Sequence, residues 1–154
     1  MIETIKVKRL HPKAVIPKRA TEGSAGYDLC ACLEQDQVIL PGETVLIGTG
    51  IAIAIPHREW AAFIYARSGL ASKHSIAPAN CVGVVDSDYR GELRVPLKNS
   101  GQAAFTVHPG DRIAQMVLAP VYLPELEEAD ELDETLRGTG GFGSSGISAQ
   151  KEES

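Results

Sequence analysis

The chain has 154 residues, of which 44% are hydrophobic, and a formal net charge of −5 at pH 7. Its length is that of one domain, and its acidic balance argues against a polymeric nucleic acid as ligand, because such binding requires a broad cationic surface. A small phosphorylated ligand remains compatible, since a few arginines and backbone N–H groups are enough to bind it.

The cysteines and the apolar runs indicate the cellular compartment in which the protein is expected. Cys30, Cys32 and Cys81 form no C-x-x-C pair, and no stretch has the layout of a signal peptide, so we expect a cytoplasmic protein. Cys30 and Cys32 would share one face of a strand, which leaves a thiolate metal site as an alternative. The longest apolar run, near Ile51 to Ile55, is too short to cross a bilayer, so we expect no membrane partner.

Glycine or proline interrupts the sequence repeatedly from Thr4 to Tyr122, and the segments between these residues have the length of strands. Strands are predicted at 38–40, 44–47, 51–55, 60–66, 93–97, 103–107 and 112–118. One short helix is predicted after Ser68, through Leu70 to Lys73, with Ser68 as its N-cap. Short strands with regular turn signals predict an all-β fold, either a sandwich or a jelly roll, with a core of small aliphatic side chains.

The composition changes after Tyr122. Residues 124–136 are acidic with few apolar side chains, so this stretch would pack against another subunit. Seven of the ten residues from Arg137 to Gly146 are Gly or Ser, which is typical of a flexible arm unless a ligand or partner orders it. We therefore expect a β domain over residues 1–136 and a flexible Gly-rich C-terminal arm over residues 137–154.

The segment 80–92 predicts a functional site, because it combines a strand, a turn and several reactive side chains. Val82, Val84 and Val85 favour a strand, turn residues follow, and an extended pattern resumes at Glu92, so we predict a β-hairpin. Asp86 would then lie where a buried strand reaches solvent.

The arm contains a pattern, G-x-G-x-x-G at 138–143, that is found in dinucleotide-binding proteins. The preceding strand and the following long helix that this fingerprint needs are not predicted here. The glycines would instead let backbone N–H groups surround phosphate oxygens, with Arg137, Ser144 and Ser145 as further donors and Phe142 suited to stacking on a base. The alternative is a plain linker with an incidental phenylalanine.

Five motifs, numbered first to fifth in chain order, resemble those of the deoxyuridine triphosphate nucleotidohydrolase (dUTPase) family. They are AGYDL at 25–29, ARSGL at 66–70, NCVGVVDSDYRGE at 80–92, GDRIAQ at 110–115 and RGTGGFGSSG at 137–146. The resemblance implies a hydrolase of nucleotide metabolism that converts dUTP to dUMP and pyrophosphate, limiting uracil in DNA and supplying dUMP for dTMP synthesis. It also implies a distorted jelly roll of the β-clip type.

The resemblance further implies a homotrimer with three shared active sites. Each site would take the second and fourth motifs from one subunit, the first and third from another, and the fifth from the remaining subunit. Asp28 would hold Mg²⁺ through water molecules, in keeping with the reluctance of this ion to lose its hydration shell.

The resemblance assigns a role to each site residue. Asp86 would orient and deprotonate the water that attacks the α-phosphorus, and Tyr89 would exclude a 2′-OH by lying against the deoxyribose. Asn80 and the backbone near Val84 would read uracil. The implied substrate-binding residues are Arg67, Ser68, Gly69, Asn80, Gly83, Val84, Val85, Tyr89, Arg94, Gln115, Arg137, Phe142, Gly143, Ser144 and Ser145.

Four of these positions also have a purely structural interpretation. Arg67 would be a solvated side chain beside an ordinary helix cap, and Gln115 a satisfied core amide. Tyr89 would cover a sheet edge, and Asp28 would form a salt bridge with a nearby arginine, because a carboxylate in a strand core needs a partner.

Two other functions are compatible with this fold. A dCTP deaminase would need a glutamate that activates water at C4 of cytosine, whereas residues 86–89 match the hydrolase. A catalytically inactive binding module would have lost Asp86, Tyr89 or the arm.

The sequence departs from the family pattern at two positions. Cys81 stands where a small or aliphatic residue is commoner, and Ser145 where threonine is frequent. Both residues are close in size and polarity to those usual in the family, so we expect the enzyme to be active. Cys81 also leads to the hypothesis that the pocket is sensitive to oxidation.

Overall fold

The computed structural model describes residues 4–142, and within them the chain is almost entirely β-structure with one short helix. The β-rich part forms a unit that ends at Leu123. Its elements are β1 (Lys6–Arg9), β2 (Tyr27–Cys30), β3 (Gln37–Ile39), β4 (Thr44–Gly48), β5 (Ile51–Ala54), β6 (Trp60–Tyr65), α1 (Ser68–His74), β7 (Ile76–Pro78), β8 (Gly83–Val85), β9 (Arg94–Asn99), β10 (Phe105–Val107) and β11 (Arg112–Pro120).

The strands form four small antiparallel sheets. The largest has the order β2-β11-β6-β8, a second has the order β4-β9-β7, and β1 with β5 and β3 with β10 form two-stranded sheets. Strands that are neighbours in sequence are rarely neighbours in a sheet, as expected of a jelly-roll-like chain path. The prediction of an all-β fold with one short helix is confirmed.

The core between the sheets is aliphatic, as the low aromatic content predicts. Its fully buried side chains include Leu29, Ile39, Ile47, Val95 and Leu97, each with a relative exposure of 1% or less. The buried polar residue Asn99 is satisfied, because its amide donates to the carbonyl oxygens of Ile39 and Ala103 and accepts from the Gly101 N–H. The turn that follows β9 is thereby fixed to the core.

The predicted strands mostly agree with the structure, and three strands, β1, β2 and β7, were given no predicted range. Lys6–Arg9 has a lysine or arginine at three of its four positions, and Ile76–Pro78 has only three residues, so neither carries a clear hydrophobic pattern. The short helix is found, but its N-cap is Arg67, and no side chain caps it by a hydrogen bond. The prediction that Ser68 is the N-cap is wrong, because Ser68 is already the first helical residue.

The prediction that segment 80–92 forms a β-hairpin with the strand that follows it is also wrong. β8 pairs with β6 in the largest sheet, whereas β9 pairs with β4 and β7 in the three-stranded sheet. The turn between β8 and β9 therefore carries the chain from one sheet to another. β8 is an edge strand of its sheet, and Asp86 is an exposed residue directly after the buried Val85, as predicted.

A second unit begins at Pro124. Its described residues, 124–142, contain neither helix nor strand. The side chains of Leu126, Leu132 and Leu136 are almost fully exposed, with relative values of 96%, 87% and 111%.

No helix within residues 4–142 has the length and apolar character needed to cross a membrane.

Candidate functional site

The third motif lines a cavity of about 250 Å³ beside the edge strand β8. Its lining residues are Ile64, Asn80, Gly83, Val84, Val85, Asp86, Tyr89, Glu92, Leu93 and Arg94. An edge strand has backbone N–H and C=O groups that its own sheet does not use on one side, so it can pair with a ligand. The cavity therefore combines backbone donors and acceptors, a carboxylate and an aromatic ring.

Tyr89 is held over a tight turn at the mouth of this cavity. Its backbone N–H donates to the carbonyl oxygen of Asp86 at 3.2 Å, and its hydroxyl donates to the carbonyl oxygen of Glu92 at 3.0 Å. The ring lies directly over Gly91, because a Cβ built there would be only 2.3 Å from the hydroxyl oxygen. Gly91 is thus the residue whose lack of a side chain gives Tyr89 its position.

Glu92 lines the same cavity and was not among the predicted site residues. Its carboxylate accepts a hydrogen bond from the Gly50 N–H at 2.9 Å and one from Arg94 Nε at 2.8 Å. The sequence signal was a glutamate two residues before an arginine at the start of a strand, where both side chains point to the same face. Arg94, which was predicted to bind substrate, is exposed and forms this ion pair.

A separate cleft of about 300 Å³ collects the first, second and fourth motifs. Its lining residues are Ala20, Ser24, Ala25, Gly26, Asp28, Arg67, Ser68, Gly69, Arg112 and Gln115. The sheet register explains part of this arrangement, because Gln115 of β11 lies opposite Asp28 of β2 and opposite Tyr65 of β6. Residues that lie opposite each other in an antiparallel pair have their side chains on the same face.

Asp28 is the centre of the charges in this cleft. Its half-buried carboxylate receives hydrogen bonds from Arg67 Nε at 3.1 Å and from Arg112 Nη1 at 3.3 Å. This is the salt bridge that the structural interpretation of Asp28 predicted, although it adds a second arginine, Arg112, that was not among the predicted site residues. The two guanidinium groups leave this cleft with a net positive charge, which suits an anionic ligand.

Gln115 projects into the same cleft and is partly satisfied by the protein itself. Its amide nitrogen donates to the carbonyl oxygen of Ala66 at 2.9 Å, which fixes the side chain next to the second motif. A Cβ at Gly26 would lie 2.6 Å from the Gln115 amide oxygen, so the first motif needs glycine here to let this amide approach. Both the ligand-binding and the structural interpretation of Gln115 are compatible with these contacts.

The predicted grouping of the motifs between subunits is wrong in one respect. Asp28 of the first motif contacts Arg67 of the second and Arg112 of the fourth within one chain. No residue lines both this cleft and the cavity of the third motif. Within one chain, the first motif therefore lies with the second and fourth, because β2 and β6 flank β11, whereas β8 of the third motif is at the opposite edge of that sheet from β2.

Part of the fifth motif lies in the described chain. Arg137 Nε donates to the carbonyl oxygen of Gly140 at 2.8 Å, and Phe142 is fully exposed with a positive φ of 51°. Gly143, Ser144 and Ser145, which were predicted to bind phosphate, lie outside the described residues.

The three cysteines and the other metal-binding side chains bear on the predicted metal sites. Cys30, Cys32 and Cys81 are free thiols. Among residues 4–142, no three His, Cys, Asp or Glu side chains are grouped as ligands of one ion. Asp28 is a single carboxylate, which fits an ion held through water molecules and shared with a phosphate ligand, and does not fit a metal enclosed by protein ligands.

Comparisons with known proteins agree with these motifs. The family model for dUTPase matches residues 12–146. A deoxyuridine 5′-triphosphate nucleotidohydrolase of Desulfitobacterium hafniense is 54% identical over 96% of this chain and 100% of its own length. One of Acinetobacter baumannii is 50% identical over 92% of this chain and 97% of its own.

Solved structures with a similar fold are also dUTPases. A mutant dUTPase of Staphylococcus bacteriophage 80alpha with dUpNHpp has a TM-score of 0.86 and 28% identity, covering 95% of this chain and 100% of that one. A dUTPase mutant of phage phi11 of S. aureus, described with a structural Mg(II) ion, has a TM-score of 0.77 and 26% identity, covering 86% of this chain and 100% of its own. The chain belongs to the dUTPase family of enzymes.

Proposed function

We propose that this chain hydrolyses dUTP to dUMP and pyrophosphate, and that Asp86 activates the attacking water. The observation that carries the proposal is the cavity in which an exposed carboxylate, a tyrosine fixed over a glycine and an edge strand meet. The bound dUpNHpp of the similar phage structure supports a deoxyuridine triphosphate as the ligand of this site.

Uracil would bind along β8. The edge of the uracil ring offers one N–H donor between two carbonyl acceptors. The backbone groups of Gly83, Val84 and Val85, together with the amide of Asn80, can match this pattern. Cytosine reverses the pattern at two positions and would leave buried groups unpaired, a mismatch worth about 10⁴ in selectivity. The methyl group of thymine would collide with the strand.

The sugar would lie between Tyr89 and Asp86. With its hydroxyl bound to the Glu92 carbonyl and its ring on Gly91, Tyr89 is held beside the place proposed for the sugar. A ribose 2′-OH would therefore clash with the ring, and selectivity against UTP would be steric.

Chemistry would start at Asp86. Its carboxylate accepts a proton from a water molecule as the water oxygen attacks the α-phosphorus in line with the leaving group. The bond from the α-phosphorus to the bridging oxygen breaks, and pyrophosphate leaves with the electron pair. A positioned general base contributes about 10²–10⁴ in rate.

The phosphates would bind in a cleft like the one around Asp28. Arg67, Ser68, Gly69 and Gln115 supply donors, and the first N–H groups of α1 have no partner within the helix. Asp28 would hold a hydrated Mg²⁺, which supplies neutralising charge to the phosphates when bound. The ion pairs with Arg67 and Arg112 keep this carboxylate in place.

A homotrimer would bring the two cavities together. Because no residue lines both the cavity of Asp86 and the cleft of Asp28, one nucleotide would use the third motif of one subunit and the first, second and fourth motifs of another. The arm of the remaining subunit, with Arg137, Phe142, Gly143, Ser144 and Ser145, would close the site. In a cytoplasmic location this enzyme would limit uracil in DNA and supply dUMP.

The substrate proposal is tested by measuring pyrophosphate release from dUTP, UTP, dCTP and dTTP with Mg²⁺ present. We expect dUTP to exceed each of the others by at least about 10³ in kcat/KM. Equal rates with UTP or dCTP would refute the proposed recognition, and ammonia released from dCTP would favour the deaminase.

The shared site is tested by complementation. We expect Asp86→Asn and Arg67→Ala to be inactive alone, and co-expressed subunits of both kinds to recover roughly a quarter of the parent activity, because that share of randomly mixed sites has both residues intact. If the active site lay within one chain, the mixture would remain inactive.

A further inference from the structure

The carboxylate of Glu92 joins the turn that carries Tyr89 to the connection between β4 and β5. One carboxylate oxygen accepts from the Gly50 N–H at 2.9 Å and the other from Arg94 Nε at 2.8 Å. Gly50 has a φ of 67°, a left-handed conformation that glycine adopts without strain. The connection is therefore shaped so that its N–H points at this side chain.

The surroundings of the Glu92 carboxylate are close-packed. A Cβ at Gly48 would lie 2.6 Å from one of its oxygens, so the space beside this carboxylate depends on the lack of a side chain there. The side chain is only 23% exposed. Burial alone raises the pKa of the Glu92 carboxyl, but the hydrogen bonds from Arg94 and Gly50 outweigh it and lower the pKa below its ordinary value.

The backbone at Glu92 is fixed on its other side as well. Leu93 N–H donates to the Ile51 carbonyl at 2.9 Å, and the buried Thr49 hydroxyl donates to the Leu93 carbonyl at 2.6 Å. The carbonyl of Glu92 itself accepts the Tyr89 hydroxyl at 3.0 Å. The acceptor on which Tyr89 rests is thus held by the side chain of Glu92 and by the next residue.

We propose that Glu92 is a positioning residue for selectivity between deoxyribose and ribose. Its carboxylate anchors the backbone carbonyl that holds the Tyr89 hydroxyl, and Tyr89 in turn excludes the 2′-OH. The inference rests on the proposed function, because it concerns the sugar of the same nucleotide. Although Glu92 also lines the cavity, its effect on the sugar would pass through Tyr89, whose hydroxyl donates to its backbone carbonyl.

The two polar contacts of the carboxylate predict graded effects of substitution. Glu92→Gln keeps an oxygen that can accept from the Gly50 N–H but loses the ionic bond to Arg94. Glu92→Ala loses both and leaves the Gly50 N–H without its acceptor. Glu43→Ala is a matched control, because Glu43 also accepts a backbone N–H, that of Leu40 at 2.9 Å, and lines neither cavity.

The experiment measures the Kd values of dUMP and UMP by calorimetry, together with kcat and KM for dUTP and UTP. We expect Glu92→Ala to reduce the preference for dUMP over UMP about tenfold, with kcat for dUTP changed less than about threefold. Glu92→Gln should reduce the preference by about threefold, and Glu43→Ala should leave it unchanged.

The outcomes separate the inference from the proposed function. A parent protein that does not prefer dUMP overturns the proposed function. If the parent prefers dUMP and Glu92→Ala keeps the same preference, the inference alone is overturned. The same holds if Glu92→Ala loses affinity for dUMP and UMP to the same extent. If Glu92→Ala does not fold, Glu92→Gln decides: a lower preference supports the inference, and an unchanged preference overturns it.

Discussion

A methyl group added at Gly91 tests the position of Tyr89 directly. The Cβ of Gly91→Ala would lie 2.3 Å from the Tyr89 hydroxyl oxygen, 2.5 Å from Cζ and 2.9 Å from Cε2. Favourable contacts between such atoms are about 3.5 Å or longer, so the ring must move by about 1 Å or more. This movement breaks the hydroxyl's hydrogen bond to the Glu92 carbonyl, which contributes about 0.5–1.5 kcal/mol.

The free energy of unfolding of Gly91→Ala should fall by little more than about 0.5–1.5 kcal/mol. Tyr89 is 46% exposed, so its ring can turn toward solvent without displacing core residues. Selectivity should change more, because a ring that has moved away no longer excludes a 2′-OH. We expect the ratio of kcat/KM for dUTP to that for UTP to fall about tenfold or more, which corresponds to a change of about 1.4 kcal/mol.

The assay compares pyrophosphate release from dUTP and UTP by the parent, Gly91→Ala and Gly23→Ala. Gly23 is a suitable control because no atom beyond its own chain neighbours lies within 4 Å of its Cβ position. A Gly91→Ala protein with the parent's selectivity would show that Tyr89 does not discriminate the sugar, and the reasoning would be refuted.

Three further predictions concern the other parts of the chain. Gly26→Ala should push the Gln115 amide away from Ala66, because the new Cβ would lie 2.6 Å from the amide oxygen. We expect KM for dUTP to rise about tenfold while the affinity for dUMP stays unchanged. A loss of affinity for dUMP of about tenfold as well would contradict this prediction. Because the pKa of Glu92 is lowered in the folded state, the stability it adds is present above its unfolded pKa of about 4.3 and is lost as the pH falls through the folded value. The thermal unfolding temperature should therefore depend less on pH below about 4.3 in Glu92→Gln than in the parent. Identical dependence in both proteins would refute the lowered pKa of Glu92. A thiol reagent should modify the exposed Cys81 before the other two cysteines, whose pKa values are raised by burial, and equal rates would contradict this order.

Local patterns predicted the strands well and the pairing of strands poorly. Gly and Pro spacing gave the approximate bounds of β3 to β6 and β9 to β11, because these residues end strands whatever lies around them. The hairpin at β8 and β9 was mispredicted because turn residues between two strands do not determine which partners the strands choose. That choice depends on burial against β6 and β4, which are distant in sequence.

The candidate site shows the same division. Asp86, Tyr89 and Asn80 lie in one short segment, so their grouping in one cavity could be predicted from sequence. The contact of Asp28 with Arg112 joins residues that are 84 positions apart, and only the register of β2 with β11 produces it. Such contacts require knowledge of the sheet order.

The central claim is that Asp86 is the general base for hydrolysis of dUTP, and the most direct measurement is single-turnover hydrolysis by Asp86→Asn with dUMP affinity determined in parallel. Asparagine keeps the size of the side chain and removes its ability to take a proton. We predict a rate at least about 10² lower than that of the parent, with the dUMP Kd within about threefold. Hydrolysis at the parent's rate would contradict the account.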